Sequence, residues 1–415
     1  MRRPTLIATA LLAPALLLAG CAAADSAAGG AASEAATTAS TEAASSETTA
    51  TADATEETTD TAATTTTATD TSDPSGDIDW TTLPTTEVTL TDDGLAITEA
   101  GTYVLSGTTT GQVTVDSDGY VRIVLDGATI TSGVGAAIEV ASAETTVIEL
   151  ADGTTNVVAD AATRTDEEID GAIYSADDLV VTGTGSLEVT ASFADGIVGK
   201  DDLWISAGTI TVTSVDDGIR GKDSLTVAGG TLTIDAAGDG LKSSNDTDLG
   251  AGQLTITGGD LTITSGDDAI KAEQQIRIAG GTIDIVASVE GIEAPVIVID
   301  DGDISLNASD DGINASSSAI VTTGLSVTIN GGSLTIVMGQ GDTDAIDSNG
   351  DLAITGGTLD ITAQSAFDYD GTGSLTGGTI TVNGEQVTEL TNQMMGGGQM
   401  GGGAPGGGQM GGGRP

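Results

Sequence analysis

Acidic side chains recur at one fixed place in this chain. Asp195, Asp217, Asp239, Asp268, Glu290, Asp311 and Asp344 each stand two residues before an apolar residue, and Asp216, Asp267 and Asp310 double several of them. Carboxylates stacked about 5 Å apart repel by about 1 kcal/mol in water and about 3 kcal/mol at an effective dielectric constant of about 20. A column of this kind needs positive charge beside it. Arg220, Lys242 and Lys271 follow their apolar neighbours directly, and Lys200 and Lys222 follow theirs at the third position. Scarce cations are thus concentrated where acids stack, in a chain with 62 Asp and Glu against 11 Lys and Arg. The equivalent slots further along hold Asn314 and Asp347 and no basic residue. There a bound cation is the natural substitute, and an oxygen-only ligand set in a chain without His favours Ca²⁺. The expected ligands are Asp310, Asp311, Asn314, Asp344 and Asp347, with Asp267 and Asp268 as a second group. The competing reading is structural: an Asp before Gly forms a turn by bonding the next backbone amides.

The basic residues admit two chemistries. Lysis of a uronate polymer needs a base to take the proton α to a carboxyl group while a cation offsets the enolate charge, and Lys242 or Lys271 would be that base. A surface Lys is protonated far above neutrality, and acids beside it push the same way. The favoured reading is that Arg220, Lys222, Lys242, Lys271 and Lys200 pair with the Asp column and grip the carboxylates of a polymer. The absence of His also removes Ser-His-Asp catalysis and His-based metal chemistry. Trp204 points outward between Leu203 and Ile205, as a sugar platform or as a lone surface ring, and no aromatic column accompanies it.

A repeat positions these residues. Its apolar anchor recurs at Ile173, Ile197, Ile219, Leu241, Ile270, Ile292, Ile313, Ile346 and Phe367, at spacings of 21 to 24 residues broken by one of 29 and one of 33. Each unit holds three short alternating runs, as in Ile219-Arg220-Gly221, Leu225-Thr226-Val227 and Leu232-Thr233-Ile234. A Gly pair such as Gly229-Gly230 precedes the third run and supplies positive φ at a sharp corner. Three strands and three turns per unit, with inward residues in register, predict an all-β fold: a single-stranded parallel β-helix of about a dozen coils. The two longer intervals hold insertions, Ser243 to Gly252 and Asn314 to Gly324.

The stretch from Asp170 to Lys242, with GTYVLSG, VRIVLDGATI and IELADGTTNVV before it, resembles the bacterial carbohydrate-binding β-helix family. Those are secreted proteins similar in fold to pectate lyases and described as binding cellulose and acidic plant polysaccharide. The resemblance covers roughly residues 85 to 385. It implies a right-handed helix, Ca²⁺ at Asp-rich coils, and binding of polygalacturonate-like chains. The D-D-G-[IF]-D signature of a related lyase class, whose carboxylates hold Ca²⁺, is matched at four of five positions by Asp310-Asp311-Gly312-Ile313-Asn314. Asp344 and Asp347 keep two of its acids, whereas Arg220 replaces the final ligand in Asp216-Asp217-Gly218-Ile219-Arg220.

The two ends differ from this body. MRRPTLIATALLAPALLLAGC resembles a lipoprotein signal, implying removal of residues 1–20 and lipidation of Cys21, the one cysteine in the chain. Residues 21–77 read as a disordered acidic Ser/Thr/Ala linker, 78–390 as the carbohydrate-binding β-helix, and 391–415 as a disordered Gly/Met/Gln tail. The net charge of −51 excludes nucleic acid as a partner. The expectation is a monomeric, extracellular lipoprotein at the cell surface, touching the membrane through its lipid and binding acidic plant or cell-wall polysaccharide with Ca²⁺. Cellulose is the weaker half of that expectation. The alternatives are a pectate-lyase-like polysaccharide lyase and a structural or adhesive rod without glycan affinity.

Overall fold

The computed structural model describes residues 72–340 and 343–392. The leader, Cys21, the linker up to residue 71 and the tail from residue 393 lie outside the described residues. Apart from two 3-10 turns, Pro74–Asp77 and Trp80–Thr82, the regular elements are strands. The first turn falls inside the stretch read as linker. Asp73 caps it, its side chain accepting from Ser75 N at 2.7 Å.

The strands form where apolar residues alternate with Thr, Ser and Asp. In one unit Ile219–Gly221 and Thr231–Ala236 bury alternate side chains and Ser224–Val227 buries Thr226 as well, with Ile219, Leu225, Val227, Leu232 and Ile234 inside. Each of these strands then pairs in parallel with its counterpart one unit later: Ile219 with Leu241, Leu225 with Leu254, Leu232 with Leu261. Branched aliphatic side chains stack along these columns as a single core. First runs build a 12-stranded sheet, and second and third runs build a 22-stranded one. The latter joins two rows because Gln275–Ser288 and Val296–Ala308 run through the corner and pair on both sides of it.

Glycine enters for two separate reasons. Gly230 has φ of +96°, the left-handed conformation expected at the corner. Gly218, after the acidic residue, has no positive φ; a Cβ there would lie 2.5 Å from Gly240 O and 2.6 Å from Ile234 Cγ2. The Asp-Gly pair is therefore set by the close approach of stacked coils, and the turn-forming account of it is corrected. At the far end the parallel order stops in a hairpin. Thr379–Val382 pairs antiparallel with Glu385–Val387 across Asn383 and Gly384, both at positive φ, as a two-residue turn requires.

Candidate functional site

First-run strands carry the basic and acidic residues. Val198, Arg220, Lys242, Lys271, Glu293, Asn314, Asp347 and Asp368 pair in one register along the 12-stranded sheet, the outward column that alternation predicts. The acids lie at the corner just before it. In several of them one oxygen is engaged by backbone: Asp217 N donates to Asp195 Oδ1 at 3.0 Å, Asp239 N to Asp217 Oδ1 at 2.9 Å, and Asp268 N to Asp239 Oδ1 at 3.0 Å. Asp344 N donates to Asp311 Oδ1 in the same way at 2.9 Å. The acid thus binds the amide of the following coil. Asp195, Asp217, Asp239 and Asp268 are buried by this stacking, and their second oxygens face the outward column.

Each cation of that column straddles two coils. Arg220 reaches Asp195 Oδ2 at 2.7 Å through Nε and also pairs with Asp170. Lys242 Nζ lies 3.0 Å from Asp217 Oδ2 and 2.7 Å from Asp239 Oδ2. Lys271 Nζ lies 2.5 Å from Asp268 Oδ2 and also bonds Glu293. Burial acts to lower the Lys242 and Lys271 pKa values, but the flanking carboxylates outweigh it and raise both. Burial, opposed by Arg220, pushes Asp195 up to about 6. Lys200 and Lys222 stand apart from the column, 4.0 Å from Asp170 and 3.7 Å from Asp223. Their expected part in neutralising it is corrected: the third position after the anchor is already at the next corner. A cleft of about 340 Å³ beside Arg220 and Lys242 is lined by Asp170, Asp195, Asp216, Asp217 and Asp246, so five acids face two cations. It repels a bare carboxylate.

The later coils keep the acids and lose the cations, for no Lys or Arg occurs between Arg277 and Arg414. Burial lifts Glu290 to about 7, with Glu293 adding, and lifts Asp347 to about 7, with Asp311, Asp368 and Asp344 adding. Asp311 rises to about 6, again chiefly by burial. Among them Asn314 is 8% exposed; its Nδ2 donates to Glu290 Oε2 at 3.1 Å and its Oδ1 is buried without a partner. Asp368 Oδ1 is likewise unpartnered. Carboxylate oxygens gather in threes within 4.8 Å at Asp239/Asp267/Asp268, Asp268/Glu290/Glu293, Asp195/Asp216/Asp217 and Asp178/Asp201/Asp202. Asp267 and Asp268 are thus brought together as expected. Asp310, Asp311, Asp344 and Asp347 form no such triple among the described residues, which corrects the expected four-acid group. Oδ1 of Asp311 is held by the Asp344 amide and Oδ1 of Asp344 by the Ser365 hydroxyl, so they are turned to neighbouring coils.

Trp204 is on the outward face, as alternation predicts, but it is covered. It points outward on the 22-stranded sheet, in register between Val180 and Thr226, yet is only 8% exposed. Val147, Val180 and Trp204 form a small apolar patch on which Trp80 packs. An open sugar platform is therefore excluded in this conformation. Local alternation gave no sign of a cover supplied by a distant segment. Sequence reasoning also missed Asp170 as a partner of Arg220 and the buried pair Arg164–Asp160 at 2.7 Å. For the Asp178/Asp201/Asp202 cluster the doublets Asp177-Asp178 and Asp201-Asp202 were the available signal. Both insertions edge clefts: Ser244 and Asp246 beside Lys242, and Ser316 to Ser318 beside Lys271 and Glu293.

The sequence pattern of the carbohydrate-binding domain-containing protein family matches residues 91–342 and again 277–394. A carbohydrate-binding domain-containing protein of Acetivibrio thermocellus is 43% identical over 124 residues, which are 28% of this chain and 43% of that one. The chain therefore matches less than half the length of that curated relative. A solved structure described as the polysaccharide lyase-like protein from C. thermocellum, in its gadolinium derivative, is 33% identical and covers 50% of this chain and 96% of its own, at a TM-score of 0.45.

Proposed function

Because this chain belongs to the carbohydrate-binding domain-containing protein family, we propose that its 12-stranded sheet binds an acidic polysaccharide of the polygalacturonate kind through Ca²⁺. The observation that carries this reading is the unpartnered Asn314 Oδ1, buried beside Glu290 and Asp347, with which no described Lys or Arg forms an ion pair. An amide oxygen beside carboxylates is the donor set of a hard divalent ion. Asp311, Asn314 and Asp347, with Asp368 at the next coil, would hold it by drawing together around the ion, since without one their carboxylates form no triple within 4.8 Å. The ion would supply positive charge that both the protein and the polymer's carboxylates share. In the earlier coils Arg220, Lys242 and Lys271 already meet that need internally, and a uronate approaching the cleft there faces an excess of acid.

This reading takes the winding as a right-handed, single-stranded parallel β-helix, the hand that parallel crossovers adopt almost without exception. It takes the protein as a binder held at the cell surface by lipid on Cys21. Binding is preferred to lysis because Lys242 and Lys271 are held protonated by the carboxylates that flank them. Retention on polygalacturonate, with Ca²⁺ and then with chelator, tests it while near-ultraviolet absorbance reports unsaturated products. Retention that chelator abolishes, without such absorbance, is the expected result. Absorbance growth would establish a lyase instead. No retention and no effect of Ca²⁺ on the melting temperature would leave a structural rod.

A further inference from the structure

Residues 73–83 cross the outside of the 22-stranded sheet before the chain enters its first strand at Thr85. Trp80 packs over Val147, Val180 and Trp204, which occupy one outward register position in three successive coils. Little fastens this strap. Arg122 lies over the Trp80 ring at 5.1 Å, and Ser206 Oγ donates to Asp73 Oδ2 at 2.6 Å. Among the described residues its remaining bonds are internal, including Trp80 Nε1 to Ser75 O at 3.2 Å and the caps made by Asp73 and Asp79. Trp204 Nε1 is buried beneath it with no acceptor, an expense that a well-fitted structural cover would avoid.

Space lies on both sides of the contact. A cavity of about 570 Å³ is lined on one side by Pro74, Ile78, Thr82 and Leu83 of the strap and on the other by Tyr120 and Glu144, in the turns that lead into Val121–Thr131 and Thr146–Leu150. A second, of about 300 Å³, is lined by Trp204 with Asp201, Asp202, Asp223, Ser224 and Gln253 and contains no basic side chain. An indole face with carboxylates around it suits an uncharged sugar: the ring's C–H face stacks on the indole and its hydroxyls donate to the carboxylates. The carboxylates would repel a uronate.

We infer that Trp204 and the outward patch around it form a stacking site for an uncharged sugar ring, and that the strap of residues 73–83 occupies this site until a glycan displaces it. The inference rests on the protein being a polysaccharide binder, but not on the ion-paired sheet or on Ca²⁺. The sugar takes the place of Trp80, and one of its hydroxyls becomes the missing acceptor for Trp204 Nε1.

The test uses the full chain with cellohexaose as the uncharged probe and oligogalacturonate with Ca²⁺ as the charged one. Trp80→Ala should tighten cellohexaose binding by at least about tenfold, the factor by which a strap open in roughly one molecule in ten would weaken it. Ser206→Ala, which loosens the strap without touching the apolar patch, should tighten it less. Trp204→Ala placed on Trp80→Ala should abolish the gain, and oligogalacturonate binding should stay unchanged throughout. In Trp80→Phe, where Trp204 is the remaining tryptophan, cellohexaose should shift its emission. Unaltered cellohexaose affinity in both strap variants, or a gain that survives Trp204→Ala, overturns the inference. Loss of oligogalacturonate binding in the unmodified chain, with the cellohexaose pattern intact, would count against the acidic-glycan reading alone.

Discussion

Asp195, Asp217 and Asp239 each have two separate duties, one per oxygen. Oδ1 receives an amide from the next coil and Oδ2 faces a cation, so a residue that reads as a turn former is a fastener between coils. Lys242 shows what depends on it. Removing its ammonium in Lys242→Ala leaves Asp239, 2% exposed, as a buried charge without a cation, and Asp217, 5% exposed, with only its 3.7 Å contact to Arg220. Losing one partner of a buried pair costs about 3–5 kcal/mol. Denaturant unfolding at neutral pH should register a loss of that size, whereas Lys222→Ala, whose Asp223 contact is long and exposed, should change stability little. If both variants unfold alike, the straddling geometry does not carry the stability assigned to it. The column of acids and cations was legible because its period is the repeat's own. Asp170 was not, since nothing in its local sequence marks it as a partner of Arg220, fifty residues on.

At the level of the strand and its corner, spacing between coils decides which residues are allowed. Gly218 lies where the next coil's backbone comes within 2.5 Å of a Cβ position. Gly218→Ala should therefore destabilise by about 1–3 kcal/mol through displaced backbone. Gly76, with nothing within 4 Å of its Cβ position, is the control, and Gly76→Ala should melt with the parent protein. Equal melting temperatures for the two variants would show that the coils can part to admit a methyl group. The three runs were readable from alternation, because a strand buried on one face writes its period directly into the sequence. The strap was not, for residues 73–83 have no period and their packing is decided by an outward patch far along the chain.

Across the whole molecule, unequal charge along the sheet sets how stability responds to pH and metal. Glu290, Asp311 and Asp347 have folded-state pKa values of about 7, 6 and 7, above the ordinary 4.5 for Glu and 3.8 for Asp. Between about pH 4 and pH 7 the folded chain then holds more protons than the unfolded one, so these groups make stability fall as pH rises through that window. In chelator the melting temperature should drop by a few degrees from mildly acidic to mildly alkaline buffer, and Ca²⁺ should restore it on the alkaline side. A melting temperature indifferent to both would mean that no cation site exists among these acids. Periodicity was enough to specify the all-β parallel stacking and the outward column, because both follow from a local pattern repeated at constant interval. Which oxygen of each acid is free, which acids converge, and whether Trp204 meets solvent depend on contacts between coils and on a strap from another part of the chain. Side chains meet there through folding alone, and no spacing along the sequence encodes it.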